Sequence, residues 1–302
     1  MNYQHLIDTA IALGCTVTEH ASMAQATTFR IGGPADLLID LPVDAAGPIL
    51  SLCRQEDIPH LFIGNGSNLL VGDKGIRGAV LRLADDGAEP TRLDNHRLYV
   101  PAGMPLKRLC LFAREQSLTG LEFAFGIPGT VGGAVYMNAG AYGGEMADVI
   151  VSADCVTPDG EPCTLSAAEL ELGYRHSSLM ETGCIVLGVT LQLTLGDYDT
   201  IAAAMKDLMN RRREKQPLEY PSAGSFFKRP TGYFAGKLIQ DAGLKGFAVG
   251  DAQVSEKHAG FVVNRGAATA ADMVELCRQV QNKIMETDGV LLEPEVRFIG
   301  EF

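Results

Sequence analysis

The chain has no excess of positive charge: 25 Lys and Arg stand against 37 Asp and Glu, a formal net charge of −12 with an isoelectric point near 4.9. Nucleic-acid binding needs a basic stripe that neutralises phosphates, so that class is excluded, although a few local cations suffice for an anionic small molecule. Paired cysteines are missing too. The seven cysteines (residues 15, 53, 110, 155, 163, 184 and 277) are odd in number and show no CxxC spacing, a pattern of free thiols in a reducing compartment. None of the six histidines forms an HxxxH or HxxE pair, so no structural or catalytic metal is expected. No apolar run reaches membrane-spanning length, because the best candidate, Cys184 to Leu195, is broken by Gly188, Thr190, Gln192 and Thr194. The N-terminal residues carry Asp8 and no basic cluster, unlike a secretory signal. A cytoplasmic protein with no membrane partner is expected.

What remains is a chain of 302 residues, 46% hydrophobic and 21% charged. That composition is globular, and the length predicts two or three subdomains. The most unusual stretch runs from Gly120 to Gly144 and holds eight of the 34 glycines, with Glu122 its only charged side chain. Such a run is neither an ordinary helix nor a solvated linker. Two readings are open: tight turns packed under a sheet, or backbone whose N–H groups await a phosphate or a flat heteroaromatic cofactor. A second loop of the same character, Gly64-Asn65-Gly66-Ser67-Asn68-Leu69-Leu70, favours the latter. It follows the buried strand Leu61–Ile63 but lacks the Gly-Lys-Ser/Thr ending of a P-loop, and no G-x-G-x-x-G opens a helix after it. A Rossmann reading therefore fails, while a nest of main-chain N–H groups around Asn65, Ser67 and Asn68 stays open.

Apolar spacing predicts helices over residues 4–13 (with Gly14 as C-cap), 44–57, 106–116, 200–213, 234–241 and 270–287. Strands are predicted over 36–41, 79–83, 98–101, 149–156, 185–195, 260–263 and 296–299, an α+β composition without internal repeats. Arg211-Arg212-Arg213 reads as a solvated tail suited to a helix C-terminus. In the last strand, alternation puts Glu295 and Arg297 on one face, either an edge ion pair or a site. Ser225 between Gly224 and two phenylalanines reads more readily as a turn hydroxyl than as a proton donor. Arg175 alone carries no signal.

Seven segments, Thr28–Ala35, Gly64–Val71, Gly120–Glu145, Tyr174–Ser177, Ser222–Lys228, His258–Asn264 and Leu292–Gly300, follow one another as in a known family. By them the chain closely resembles the UDP-N-acetylenolpyruvoylglucosamine reductases, flavoenzymes of peptidoglycan precursor synthesis. The resemblance implies a vanillyl-alcohol-oxidase-type FAD-binding region of two α+β subdomains, residues 1–83 and 84–195, with a C-terminal α+β substrate subdomain, residues 196–302. FAD would be wrapped by Asn65, Gly66, Ser67, Asn68 and Leu69 and by Gly126, Ile127, Pro128, Gly129, Thr130, Gly132 and Gly133. In that arrangement residues 65–68 and 129–133 offer main-chain N–H groups to the pyrophosphate. Asn138, Gly140, Ala141 and Tyr142 would lie along the flavin, with Arg297 also on the cofactor.

The partners implied are NADPH and UDP-N-acetylglucosamine enolpyruvate, acting on a monomer. By motif Arg175 would stabilise negative charge developing on the substrate, Ser225 would protonate C2, and Glu295 would complete the site. Lys215, Lys228, Arg229 and His258 would contact the nucleotide substrate. Only 50 positions separate Arg175 from Ser225, as in the shorter family variant without an inserted tyrosine loop. Position 229 is Arg where some relatives carry Asn. An oxygen-using oxidase of the same fold and a non-catalytic nucleotide-sugar binder are the alternatives. The freshly purified, untagged protein is expected to contain no stoichiometric zinc or iron; elemental analysis finding one metal per chain would overturn that reading.

Overall fold

The computed structural model describes residues 2–302. They form two compact units, each assembled from separated stretches of chain. One holds the residues up to Glu19, Leu37–Gly64 and Gly78–Arg211; the other holds His20–Asp36, Asn65–Arg77 and Arg212–Phe302. Among the described residues no helix is long and apolar enough to cross a membrane.

In the first unit, the parallel strands His60–Ile63 and Ile76–Leu83 pair with His60 opposite Ala79 and Ile63 opposite Arg82. They belong to a four-stranded sheet in the order Thr16–Ser22, Pro34–Leu41, Ile76–Leu83, His60–Ile63. Helices Gln4–Ala12 and Ala46–Gln55 cover it, each presenting its apolar stripe, Leu6 and Ala10 from one and Ile49, Leu50 and Cys53 from the other. Gly14 follows the first helix with φ +79°, in keeping with its expected role at the helix end. The helix expected from residue 44 instead begins as a 3-10 turn, Val43–Ala45.

A second, wholly antiparallel sheet of five strands runs Pro162–Ser166, Ile150–Val156, Ile185–Gln192, Arg97–Pro101, Thr91–Arg92. Against it lie helices Leu106–Glu115 and Val131–Tyr136, the latter formed by the middle of the glycine-rich stretch. Both sheets share one core, to which Ile39, Leu81, Val100, Val131, Val135 and Val189 contribute aliphatic side chains. Burial of such side chains is worth about 1.5–3 kcal/mol each. This is an α+β architecture, as expected.

The second unit is built on an antiparallel sheet of Ala248–Val249, Ala252–Val254 and Val262–Asn264 and on the helix Ala270–Asp288. That helix has a complete set of sequence signals. Thr269 and Asp272 form a capping box, the Asp73 carboxylate accepts from Ala270 N and Ala271 N at 2.8 and 3.0 Å, and Gly289 ends it at φ +66°. Met273, Leu276, Cys277, Val280 and Ile284 are its buried face. They pack with Phe29, Leu70, Phe226, Phe227, Leu292 and Val296. The short strand Leu69–Val71 pairs in parallel with Arg297–Ile299, Leu69 opposite Arg297.

One expectation is corrected outright. Arg212 is buried at 7% exposure, with Nη1 3.5 Å from Gln216 Oε1, so the arginine run is not a uniformly solvated tail. Helix Tyr198–Lys215 turns about 100° per residue, so three consecutive arginines fan across more than half of its circumference and do not share one solvent face.

Gly75 sits just past the loop of residues 64–71 with φ +87°, and a Cβ there would lie 1.8 Å from the Pro34 carbonyl oxygen. Gly87 has a similar φ of +79° but open space around it. Gly87→Ala is therefore expected to cost about 1–2 kcal/mol, the left-handed backbone penalty alone. Gly75→Ala should cost clearly more, because the backbone itself must move. Apparent melting temperatures that fall equally for the two variants would contradict this difference.

Candidate active site

Arg175 lies in the first unit, in a tight turn closed by Gly173 N to His176 O at 3.1 Å and His176 N to Gly173 O at 3.2 Å. Its own φ is +54°, a conformation uncommon for a side chain larger than Asn or Asp. Three contacts hold the turn against the tail of the glycine-rich stretch. Asn138 Nδ2 donates to Gly173 O at 2.9 Å, Ser177 Oγ to Tyr136 O at 2.7 Å, and the guanidinium approaches Asn138 O and Gly140 O at 3.5 and 3.3 Å. The Tyr174 ring lies 5.3 Å from the guanidinium carbon. The polar segment that carried no signal alone is thus docked on the expected flavin-side residues.

Asn138 is fully buried, and its amide oxygen accepts from Ala147 N at 3.0 Å. With both ends of its amide engaged by protein, it is a brace for the Arg175 turn. Beyond it, Gly140–Ala141 and Gly144–Glu145 form a hairpin whose two central residues, Tyr142 and Gly143, both have positive φ, the backbone of a type I′ turn. The Arg211 guanidinium covers the Tyr142 ring at 5.0 Å. Glu122, the stretch's single charge, accepts from Thr119 Oγ1 and Gly120 N at 2.7 and 2.9 Å. Burial, with that carboxylate adding to it, holds the Cys110 thiol up at about 12, so Cys110 is inert.

The first unit also narrows the expected phosphate cradle. Val131 N donates to Met104 O, Gly132 N to Ala102 O and Gly133 N to Thr130 Oγ1, so these three N–H groups are consumed by the protein. Gly129 N and Thr130 N donate to no protein group among the described residues. Gly64 packs onto this turn: a Cβ on it would come within 2.7 Å of Thr130 Oγ1.

In the second unit the remaining motif segments are hydrogen-bonded into one body. Phe226 N donates to Gly260 O at 2.8 Å, and on its other side Phe226 O accepts from Glu295 N at 2.8 Å. Lys228 N donates to Glu293 O at 2.8 Å. Ser225 and Glu295 are thereby brought onto adjacent extended segments. Asn68 Nδ2 donates to Glu295 O at 3.1 Å and Arg297 N to Asn68 O at 3.0 Å, which adds the first glycine loop and Arg297 to the same group. Gly66 has φ +61°, and a Cβ on it would lie 2.5 Å from Ala26 O. The N–H groups of Gly66 and Ser67 donate to no protein group among the described residues. Small residues whose main-chain donors no protein group takes suit a pyrophosphate, so this loop fits the phosphate part of FAD.

Thr28 and Asn264, which sequence reasoning placed in motifs without a role, are the braces here. Thr28 Oγ1 donates to Ser222 O at 2.7 Å and Thr28 N to Gly66 O at 3.2 Å, while Asn264 Nδ2 donates to Phe29 O at 3.2 Å. The signal available was a polar side chain inside an apolar motif; its partner lies 194 residues away for Thr28, beyond any local pattern.

Among the expected substrate residues, His258 is the one whose titration its surroundings shift. Burial pushes His258 below its ordinary value, and the charges of Lys245 and Lys215 act in the same direction. Nδ1 of His258 accepts from Gly260 N at 3.1 Å, which leaves the proton of the neutral ring on Nε2. Lys228 reaches Glu293 at 3.3 Å in an exposed pair, weak enough to yield to a stronger anion. The Arg229 guanidinium stands 4.0 Å from the centre of the Phe234 ring. One grouping with metal-ligand geometry occurs among the described residues, Glu171, His176 and Glu181, with ligand atoms within 4.8 Å of one another; the two carboxylates are exposed and the histidine half-buried.

Comparison with known proteins places this geometry. Residues 44–166 match an FAD binding domain family, and residues 216–299 match the family described as UDP-N-acetylenolpyruvoylglucosamine reductase, C-terminal domain. The chain is 53% identical to a protein named UDP-N-acetylenolpyruvoylglucosamine reductase from Agathobacter rectalis, over 93% of each chain. It is 52% identical to one of the same name from Clostridium botulinum, over 92% of this chain and 91% of the other. The crystal structure of the UDP-N-acetylenolpyruvylglucosamine reductase from Thermus caldophilus superposes with a TM-score of 0.79 at 38% identity, covering 94% of this chain and 98% of that one. An alkyldihydroxyacetonephosphate synthase, 15% identical with a TM-score of 0.50 over 65% of this chain and 41% of its own, shares the fold alone. By sequence over nearly its whole length, by fold and by the loops that fit its cofactor, the chain belongs to the UDP-N-acetylenolpyruvoylglucosamine reductase family, oxidoreductases that work with FAD.

Proposed function

We propose that the chain reduces the enolpyruvyl ether of UDP-N-acetylglucosamine enolpyruvate to UDP-N-acetylmuramate, with NADPH as donor, as a cytoplasmic monomer. The observation that carries the reading is the joining of Ser225 and Glu295 through the 2.8 Å bond from Glu295 N to Phe226 O. This backbone bond puts two residues that lie 70 positions apart in sequence on neighbouring segments, which supports assigning them to one proton-handling group.

FAD, held by the residues assigned to it below, would supply the hydride-transfer chemistry that links NADPH to the vinyl carbon C3. The protein's task is to manage the charge and the proton that this leaves at C2. Negative charge at C2 spreads into the substrate carboxylate, and a permanently charged guanidinium is suited to stabilise it. Arg175 is that group in this proposal, with Asn138 O and Gly140 O orienting it. The Ser225 hydroxyl then protonates C2. A serine is a weak acid, and its use here is reasonable because the acceptor is a strongly basic carbon held at hydrogen-bond distance. Glu295, on the neighbouring segment, completes the proton-handling group.

Asn65, Gly66, Ser67, Asn68 and Leu69 are assigned to FAD, with Gly126–Gly129, Thr130, Gly132, Gly133, Gly140, Ala141, Tyr142 and Arg297. Gly66, Ser67, Gly129 and Thr130 are the main-chain donors best suited to the pyrophosphate. Lys215, Lys228, Arg229 and His258 are assigned to the nucleotide part of the substrate. The division at residues 83 and 195 remains our proposed functional partition.

An anaerobic visible spectrum tests the whole reading: the flavin should bleach with NADPH and recover its colour with UDP-N-acetylglucosamine enolpyruvate. A protein that stays colourless with added FAD would remove it. Ser225→Ala is expected to lower turnover by about 10²-fold or more while flavin reduction stays normal; turnover within a few-fold of wild type would dismiss Ser225 as the donor. Glu295→Gln should leave flavin reduction by NADPH unchanged and slow flavin reoxidation by substrate. Stopped-flow traces showing the reverse pattern would take Glu295 out of the second half-reaction.

A further inference from the structure

The segment of the first unit that carries Arg175 is flanked by three side chains that the proposed reaction does not use. Glu171, His176 and Glu181 are spaced five positions apart in sequence, yet one ligand atom from each lies within 4.8 Å of the other two. His176 Nε2 stands 3.9 Å from Glu181 Oε1. Bonds outside the three side chains bring them together. Ser178 N donates to Leu170 O at 2.9 Å and Ser178 Oγ to Glu169 O at 2.7 Å, so the stretch ahead of the Arg175 turn is tied to the stretch after it. Leu170 and Leu179 are buried in the core and pin the two flanks. Glu171 follows the first of these leucines directly, and Glu181 follows the second within the short helix Leu179–Thr182.

Two exposed carboxylates alone are unremarkable on a chain of net charge −12. The imidazole between them changes the chemistry. Mg2+ and Ca2+ are hard ions that take oxygen ligands, whereas imidazole suits zinc and its first-row neighbours. Histidine nitrogen and carboxylate oxygen are both ordinary zinc ligands, and three from the protein leave the fourth position to water. With bonds of about 2.1 Å, ligand atoms on one tetrahedral zinc stand roughly 3.4 Å apart. The three groups already lie within 4.8 Å of one another, so they close on an ion by about 1.4 Å at most. A plain ion pair accounts for His176 and Glu181 but leaves Glu171 beside a like charge, which costs energy. A divalent cation accounts for all three.

We infer that Glu171, His176 and Glu181 bind a divalent first-row transition-metal ion of the zinc class, and that the bound ion restrains the Arg175 turn. His176 closes that turn with both its N–H and its carbonyl, so drawing its ring towards two carboxylates loads the turn directly. A guanidinium displaced by a fraction of an ångström stabilises developing charge less well, and the step that Arg175 serves slows. This coupling to turnover rests on the function proposed above, whereas binding of the ion does not. The site faces solvent and exchanges its ion, in keeping with a protein expected to hold no stoichiometric metal as purified.

The probe is zinc chloride added to the untagged, metal-free holoenzyme. Calorimetric titration should show one site per chain with a Kd on the order of 10 µM, and no matching heat from Mg2+. Glu171→Gln, His176→Asn and Glu181→Gln should each weaken zinc binding about tenfold or more. In stopped flow, zinc should slow flavin reoxidation by the enolpyruvyl substrate about threefold or more, with reduction by NADPH unchanged. EDTA should restore the rate, and each variant, compared with its own rate without zinc, should lose the effect. Absence of zinc binding, or an affinity within about twofold of wild type in all three variants, would overturn the site. Zinc bound through these residues with reoxidation unchanged would overturn the restraint on Arg175. A protein that binds zinc in this residue-dependent way but never reoxidises its flavin with substrate would remove the proposed reaction and leave the metal site standing. Unchanged flavin content serves as the check that the variants are folded.

Discussion

The proton-handling group proposed for the second unit depends on one residue being held from both sides. Phe226 gives its N–H to Gly260 and its carbonyl to Glu295 N, and its ring is buried at 1% exposure against Phe29, Phe227 and Phe298. A residue so fixed cannot rotate about either backbone bond without breaking a ladder contact or opening the core. Ser225, one position earlier, inherits that rigidity. The proton-donor role proposed for Ser225 would need it, because transfer from a weak acid is useful only if the hydroxyl stays where the charge develops.

The first unit solves a different problem with the same economy of means. The Arg175 turn has no core of its own; it is held by Asn138, Ser177 and two carbonyl groups of the stretch it serves. Glycine density there serves several ends. Some glycines permit close packing, as where Gly132 meets Ala102 at 3.0 Å from a would-be Cβ, and others sit in turns. The N–H groups of residues 131–133 go to the protein and not to a ligand, so glycine content overstated the size of the cradle.

The legible parts of the fold were those with local cause. Helix Ala270–Asp288 declares its start, stripe and stop within its own sequence, and the alternation of Ile150–Val156 and Ile185–Gln192 predicted two central strands of the five-stranded sheet. Short strands whose partner is remote were not visible: Leu69–Val71 read as the end of a loop, since nothing nearby announces its pairing with Arg297–Ile299. Arg212 was misread because charge was weighed without helical phase. Of the candidate site, the glycine loops stood out by composition, whereas Arg175, Ser225 and Glu295 needed family resemblance. Each is an ordinary residue locally, and only tertiary hydrogen bonding distinguishes it.

The pairing of Asn68 with Glu295 spans 227 residues, and this has a consequence for biosynthesis. A ribosome finishes the glycine loop at residues 64–71 long before it makes the strand that supports it. Until then Leu69–Val71 is an unpaired edge attached to a chain whose other folded parts are already out. Such long-range closure is slow to form, and exposed edges in the waiting chain invite wrong partners. The 64–71 loop is therefore fixed last, after almost every other residue of its unit has been made.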